Sequence, residues 1–341
     1  MTDRFPARPF RVSAPSTLSD MSSENLICPV LVEVERSGFV ESRHRGSAVA
    51  LDADGNVVRG LGAVDAPLFP RSTVKPFQAV AMLRNGLELE GELLALAAAS
   101  HSGEAFHVEG AERILAEAGL TAAALGCPPD RPMDDGARRE ALRAGDAESP
   151  LYMNCSGKHA AMLATCRANG WPTETYLDPG HPLQSAARST IEEFTGERVA
   201  AIGVDGCGAP LYAVTLLGLA RAFHRLGTAP EGSEEAQVAA AMREYPAWTS
   251  GTRRDENDLM SDVPGLVLKC GAEGIDAFCL PDGRAGVVKI EDGAMRARTP
   301  VTVALLRALG VDTPGSASRA SIPVMGGGEA VGSIRIAPDL F

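Results

Sequence analysis

Strand-type patterning at both ends of the chain, separated by a long Ala- and Leu-rich stretch, is the feature that most limits the folds open to this sequence. Near the start, Val30, Val32 and Val34 alternate with Leu31, Glu33 and Glu35. Ala48 to Leu51 is then followed by Asp54-Gly55 and Val57-Val58, which reads as a hairpin. Between Lys75 and about Arg243 the signal changes to segments of helical length, such as Gly91 to Ala99, Ala111 to Glu117 and Leu211 to His224. Beyond them, Leu266 to Leu268, Ala277 to Leu280, a turn at Pro281-Asp282-Gly283 and Gly286 to Ile290 read again as short strands. Hairpins favour antiparallel pairing. The economical fold is therefore α+β, an antiparallel sheet formed from N- and C-terminal segments, covered by helices, with a helical lobe inserted between them. We expect a disordered leader over 1–25, rich in Ser, Pro and Arg, and one unit over 26–341. Its sheet lobe takes about 26–72 and 262–341, and its helical lobe about 73–261.

Composition excludes several classes of partner. The 341 residues carry 32 basic and 44 acidic side chains, and a net charge of -12 repels phosphate backbones and anionic membrane surfaces. No nucleic acid and no membrane partner is expected. No apolar run approaches the roughly 18 residues of a membrane span and no signal-peptide core is visible, so a cytoplasmic protein is expected. Seven scattered cysteines in a chain of this length read as reduced thiols.

Only four of the basic residues are lysines, Lys75, Lys158, Lys269 and Lys289. A chain that uses Arg wherever either cation serves keeps Lys where Arg would fail. An amine can lose its proton on desolvation and act as a base or a metal ligand, whereas a guanidinium stays charged.

Lys75 lies in Pro70-Arg-Ser-Thr-Val-Lys-Pro-Phe-Gln-Ala-Val80, which holds the chain's one Ser-x-x-Lys. Pro76 is tolerated only in the first turn of a helix, so the helix through Phe77, Val80 and Leu83 must start near Ser72. Ser72 and Lys75 then share one face, close enough for the amine to take the hydroxyl proton. The competing reading is a capping serine followed by a solvated lysine. Ser100, His101 and Ser102 occupy a loop at a helix start, where Ser102 also reads as a cap. Lys269 follows the apolar run Gly-Leu-Val-Leu and precedes Cys270-Gly271, and a lysine there must pair or lose its proton. The order Ser-x-x-Lys, serine loop, Lys-x-Gly resembles the active-site plan of serine β-lactamases and penicillin-binding proteins, although Lys-Cys-Gly replaces Lys-Thr-Gly.

A further pair of Gly-bearing turns carries Cys155, Lys158 and His159 in Asn154-Cys-Ser-Gly-Lys-His, and Asp205 and Cys207 in Asp-Gly-Cys. Two thiolates with a carboxylate or amine suit zinc. Cys155 reads equally as a small core residue or as a cysteine nucleophile, and Asp205 as a turn former.

Arg71 to Pro76, Ala99 to Glu104, Asn154 to His159, Asp205 to Cys207 and the Lys269 region together resemble the L-asparaginase II family, in family order, over about Val30 to Gly327. The resemblance implies a serine β-lactamase-like fold, a homodimer, and hydrolysis of the small molecule L-asparagine to aspartate and ammonia. It implies two Ser/Lys tandems, Ser72 with Lys75 and Ser100 with Lys269. Ser72 is the candidate nucleophile, with the assignment between the two serines reversible. It implies zinc held by Cys155, Lys158 and Cys207, with Asp205 beside it. Arg71, His101 and His159 are candidate substrate contacts. Alternatives are a Ser/Lys hydrolase of another amide (glutamine, a peptide or a β-lactam) and a non-catalytic zinc-binding protein.

Overall fold

In the computed structural model, which describes residues 28–338 and 340, strand β2 (Phe39–Leu51) organises the sheet because its two halves join different partners. Its first half pairs antiparallel with β1 (Val30–Arg36). Its second half pairs with β3 (Val57–Leu61) on one side and with β9 (Ala285–Ile290) on the other. From there the sheet runs through β8 (Ile275–Cys279) to an edge at β7 (Val267–Gly271). In the other direction it passes from β1 to β11 (Glu329–Ile336) and β10 (Ser321–Gly326). All eight strands come from the two ends of the chain and every pairing is antiparallel, as the patterning indicated.

Alternation along the strands gives each face its own core. Val49, Leu51, Val267, Ala277 and Val287 pack into the helical side. Ala48, Ala50, Leu268, Phe278 and Val288 pack on the reverse against Val301 and Leu305 of α11 (Arg298–Ala308). Helix α12 (Pro314–Ser318) follows, and the short helix α10 (Asp255–Asp262) adds Leu259 and Met260 to the reverse-side core.

The helical side is built round α1 (Lys75–Leu83), in which every residue from Lys75 to Met82 is buried. A helix buried on all sides has no solvent face, and Phe77 meets the rings of Phe194 and Phe223 at 5.0 and 5.5 Å. Around it lie α2 (Gly91–Ala97), α3 (Ala105–Glu117), α5 (Ser156–Asn169), α6 (Pro182–Thr195), α7 (Leu216–Gly227) and α8 (Glu234–Glu244). The helices α4 (Asp135–Ala144) and α9 (Pro246–Thr249) complete the middle of the chain.

Two sequence expectations need correction. The middle is not purely helical, because β4 (Pro67–Leu68), β6 (Pro210–Thr215) and β5 (Ala201–Val204) form a small antiparallel sheet. Leu211 to His224 is not one helix. Pro210 to Thr215 is strand, and Thr215 then caps α7 by accepting a hydrogen bond from the Gly218 backbone N–H at 2.8 Å. The Gly326-Gly327-Gly328-Glu329 run, uninterpreted from sequence, is the tight turn between β10 and β11, with Gly327 and Gly328 at φ 58° and 90°. The leader expected over 1–25 lies outside the described residues.

Candidate active site

The chain approaches α1 through a short 3-10 turn, Arg71–Val74, so Ser72 sits one turn ahead of Lys75 and Pro76 falls in the first α-helical turn. The turn is entered under strain. Arg71 holds φ at 51°, a left-handed conformation that a residue with a Cβ adopts only when its surroundings impose it. The imposing groups are visible: Arg71 Nε donates to Asp205 Oδ1 at 2.8 Å, and its guanidinium lies 3.7 Å from Glu273. Strand β7 also presses on the turn. A Cβ at Gly271 would stand 3.0 Å from the Pro70 carbonyl oxygen and 3.2 Å from Arg71 Cβ, so glycine lets the end of β7 lie against Ser72's turn. The Gly of the Lys-x-Gly signal thereby has a packing role.

Lys75 is 1% exposed, and its Nζ donates to three groups. These are the Ala99 carbonyl oxygen at 2.5 Å, Ser100 Oγ at 2.9 Å and Cys155 Sγ at 3.0 Å. The direct hydrogen bond therefore joins Lys75 to Ser100, the serine that the resemblance pairs with Lys269. Among the described residues no hydrogen bond is made by Ser72 Oγ, which is half-buried. The Ser100 loop is fixed by backbone bonds, Ser100 N–H to the Thr249 carbonyl oxygen at 3.2 Å and His101 N–H to that of Asn154 at 2.9 Å.

Lys269 is also 1% exposed, and its Nζ donates to the Cys270 carbonyl oxygen at 2.9 Å. Burial pushes its amine down to about 8, with the Lys75 charge adding to the effect and Cys270 opposing it. Lys158, the third buried lysine, donates to Cys207 Sγ at 3.2 Å. Burial disfavours its charge, but Cys207, Cys155 and Asp205 outweigh that and hold the amine above its ordinary range. Three of the four lysines are thus buried, and Lys289 is half-buried.

The two cysteines behave as a coupled pair. A hydrogen bond from Cys207 holds the Cys155 thiol well below its usual range, against its burial, and the Lys75 and Lys158 charges add to this. The same bond raises Cys207, while Cys155 Sγ, at the start of α5, also donates to Asn154 Oδ1 at 2.9 Å. Burial pushes Asp205 up, but the Lys158 charge and the Arg71 bond prevail and keep it low.

The two histidines play internal parts. His101 is fully buried, with Nε2 at 2.8 Å from Ser156 Oγ and Nδ1 accepting from the Gly103 N–H. Burial, with His107 and Lys75, keeps it neutral. His159 Nδ1 lies 2.6 Å from the Tyr176 hydroxyl, and burial with the Lys158 charge lowers the ring to about 4. Hydrogen bonds and ion pairs thus link Arg71, Lys75, Ser100, Cys155, Lys158, His159, Asp205 and Cys207 into one set, while Ser72 adjoins it only through the chain, next to Arg71, and Lys269 stands at the adjoining strand end. Tyr176 was missed from sequence. Its one signal was its being one of four tyrosines.

One buried amine, Lys75, is set against one serine hydroxyl, Ser100, at a helix start that abuts a strand edge, and the protein is an amide hydrolase. The L-asparaginase II pattern matches residues 32–336, and the chain belongs to that family. No curated protein matches it significantly. Similar solved structures include a β-lactamase from Mycobacterium bovis (14% identity, 78% of this chain and 95% of that one, TM-score 0.46). Two others are Mglu in its native form (16%, 78% and 63%, 0.40) and simvastatin synthase from Aspergillus terreus (14%, 77% and 90%, 0.38). These likenesses are too distant to bear on chemistry.

For a zinc ion, the test is the donor set. Among the described residues no three or more His, Cys, Asp or Glu side chains are arranged to hold a metal. Cys155 and Cys207 reach a third donor through the Lys158 amine, and the buried His159 Nε2 lacks a partner beside them. Two thiols and an amine are chemistry that zinc accepts. Among the described residues no helix is long and apolar enough to cross a membrane.

Proposed function

We propose that the protein hydrolyses the side-chain amide of L-asparagine to aspartate and ammonia through a serine acyl-enzyme. The observation that carries this reading is the bridge from Lys75 Nζ to Ser100 Oγ at 2.9 Å, one helical turn from an unpartnered Ser72 hydroxyl. Lys75, a cation giving three hydrogen bonds, must first pass a proton to the Cys155 sulfur at 3.0 Å; Ser72 Oγ then attacks the amide carbon while its own proton passes to the neutral amine. The carbon–nitrogen bond breaks as a proton reaches the leaving nitrogen through Ser100, which gives ammonia and an aspartyl ester. Water then attacks the ester, its proton passes to the lysines, and Ser72 regains its hydrogen as aspartate leaves. Lys269, with its lowered proton affinity, serves as the second amine of this relay.

Cys155, Cys207 and Lys158 would hold a zinc ion. When bound, it would tie the two Gly-bearing turns together and shape the site, its charge cancelled by the two thiolates. Lys158 would have to give up its proton to do so, so zinc content measured on wild type and Lys158→Met tests this part of the reading. The homodimer belongs to the same reading and is checked by light scattering.

The same Lys75–Ser100 bond favours a second assignment, with Ser100 as nucleophile. Ammonia release from L-asparagine by wild type, Ser72→Ala and Ser100→Ala tests the reading, and mass mapping of the quenched aspartyl ester assigns the serine. Absence of ammonia from wild type with asparagine overturns it.

A further inference from the structure

Beside the Ser100 loop lies a cavity of about 340 Å³ lined by Ser102, Met133, Asp134, Asp135, Arg253 and Arg254, with Arg139 at its rim. Its three guanidiniums are held very differently. Arg253 is fully engaged by Asp134, which grips it through both carboxylate oxygens. Arg139 is exposed and has no fixed partner among the described residues. Arg254 is anchored from behind and open in front. Its Nη2 donates to the buried Glu256 carboxylate at 3.3 Å and to Cys270 Sγ at 3.5 Å, whereas its Nη1 meets only the Met133 thioether at 3.1 Å. A thioether is a weak acceptor for a guanidinium N–H, and the side chain keeps 23% exposure. A cation fixed on one side and underused on the other is suited to a carboxylate ligand.

The cavity's position is as telling as its lining. Ser102 is two residues from Ser100, and the Arg254 charge lies near enough to Lys269 to disfavour its proton. Two residues of chain span at most about 7 Å, the length of one small amino acid. Arg71, the guanidinium next to Ser72, is already committed to Asp205 and Glu273. A substrate whose amide lies at the serines can therefore extend its charged end toward Arg254.

We propose that Arg254, held in place by Glu256, is a specificity-determining residue that binds the α-carboxylate of the amino-acid substrate. This rests on the asparagine-hydrolase reading for the substrate's identity. The test compares wild type with Arg254→Gln on L-asparagine and on β-alaninamide, which is asparagine with its α-carboxylate replaced by hydrogen. The expected result is a 10- to 100-fold loss of kcat/KM on asparagine, mostly in KM, with the β-alaninamide rate kept within threefold. Arg254→Lys should recover part of the loss, since it restores charge without the fork. Equal losses on both substrates, or none, overturn the assignment. Calorimetric titration with L-aspartate and β-alanine separates the two claims. If wild type releases no ammonia from asparagine, the hydrolase reading falls, but tenfold weaker aspartate binding by Arg254→Gln still supports the subsite. Unchanged or absent aspartate binding overturns the subsite.

Discussion

Two clusters of buried charge meet at strand β7, one through Lys269 and the other through Cys270, and they spend their hydrogen bonds differently. In the first, Lys75 and Lys158 face sulfur and hydroxyl partners, Lys269 has a single backbone acceptor, and His159 Nε2 is left unpaired. In the second, Arg298 donates to Asp276 at 2.7 Å and to Glu256 at 3.5 Å. Thr302 adds a bond to Asp276 at 2.9 Å, and Arg254 closes on Glu256. Burial pushes the carboxyl of Glu256 up, yet Arg298 and Arg254 overcome it and hold it well below its usual range. Carboxylates answered by guanidiniums make a network for holding α10, α11 and the sheet together. Amines answered by neutral or weak acceptors keep capacity for a reacting group. The difference teaches that burial of charge does not by itself mark a catalytic centre: the amines meet sulfur, hydroxyl and carbonyl acceptors, the guanidiniums meet carboxylates, and an unpaired buried nitrogen occurs in each cluster, at His159 Nε2 and at Arg298 Nε.

The largest effect that would sharpen this contrast is the loss of Lys75. Lys75→Met should lower kcat by about 10³-fold or more, as expected for removal of a base. Its Tm should stay within a few degrees, because Met fills the stem's volume and Ser100 keeps its backbone anchors. A comparable rate in the variant would break the comparison. In the second cluster the reverse holds. Arg298→Ala strands Asp276 beside Glu256 and should cost about 4 kcal/mol of stability, read by denaturant titration. Turnover per folded molecule should stay within threefold of wild type. If that substitution silences the enzyme without unfolding it, the network is not structural.

Much of this arrangement was legible because two kinds of signal are local. Pro76 located the helix start, and period-2 patterning located the strands that flank the helical side. Scarcity of lysine pointed to positions where a guanidinium would not serve, and three of the four prove buried. The pairing of amines with hydroxyls was not legible. It depends on how the Ser100 loop, the end of β7 and the turn at Arg71 meet, which are contacts between segments far apart in sequence. Pro210 to Thr215 was misread for a similar reason. Its apolar residues run straight into those of α7, and only the cap at Thr215 divides them. The strain at Arg71 had no sequence signal, since its cause is the distant Asp205 and Gly271. Arg254 had no sequence signal, since what holds it, the buried Glu256 and the distant Cys270, is set by tertiary packing.

The smallest effect is also the one that ties the two clusters to pH. Lys269 has its proton affinity lowered by burial from its ordinary 10.5 to about 8. Between those values the unfolded chain binds the proton that the folded chain has released, so stability rises with pH across that window. Below about 8 both states carry the charge, and the folded state bears its desolvation. The gain on going from pH 8 to pH 10.5 is about 3 kcal/mol at most, since one unit corresponds to about 1.4 kcal/mol. Asp276 behaves in the opposite sense. Burial raises its carboxyl to about 6, so the folded chain retains a proton that the unfolded chain has lost from about 4 upward, and stability falls as pH rises to 6. The lowered rings of His101, His107 and His159 raise stability from about pH 4 to 6.5, and the raised thiols of Cys127, Cys166 and Cys279 lower it above about pH 9. Each contribution is therefore read as a difference between urea titrations: wild type minus Lys269→Met should rise across the alkaline window, and wild type minus Asp276→Asn should fall across the acid one. In the same Lys269→Met variant the ascending limb of kcat/KM near pH 8 should disappear along with the rise in stability. A limb that persists with its midpoint unmoved would assign that titration to another group and remove Lys269 from the proton relay.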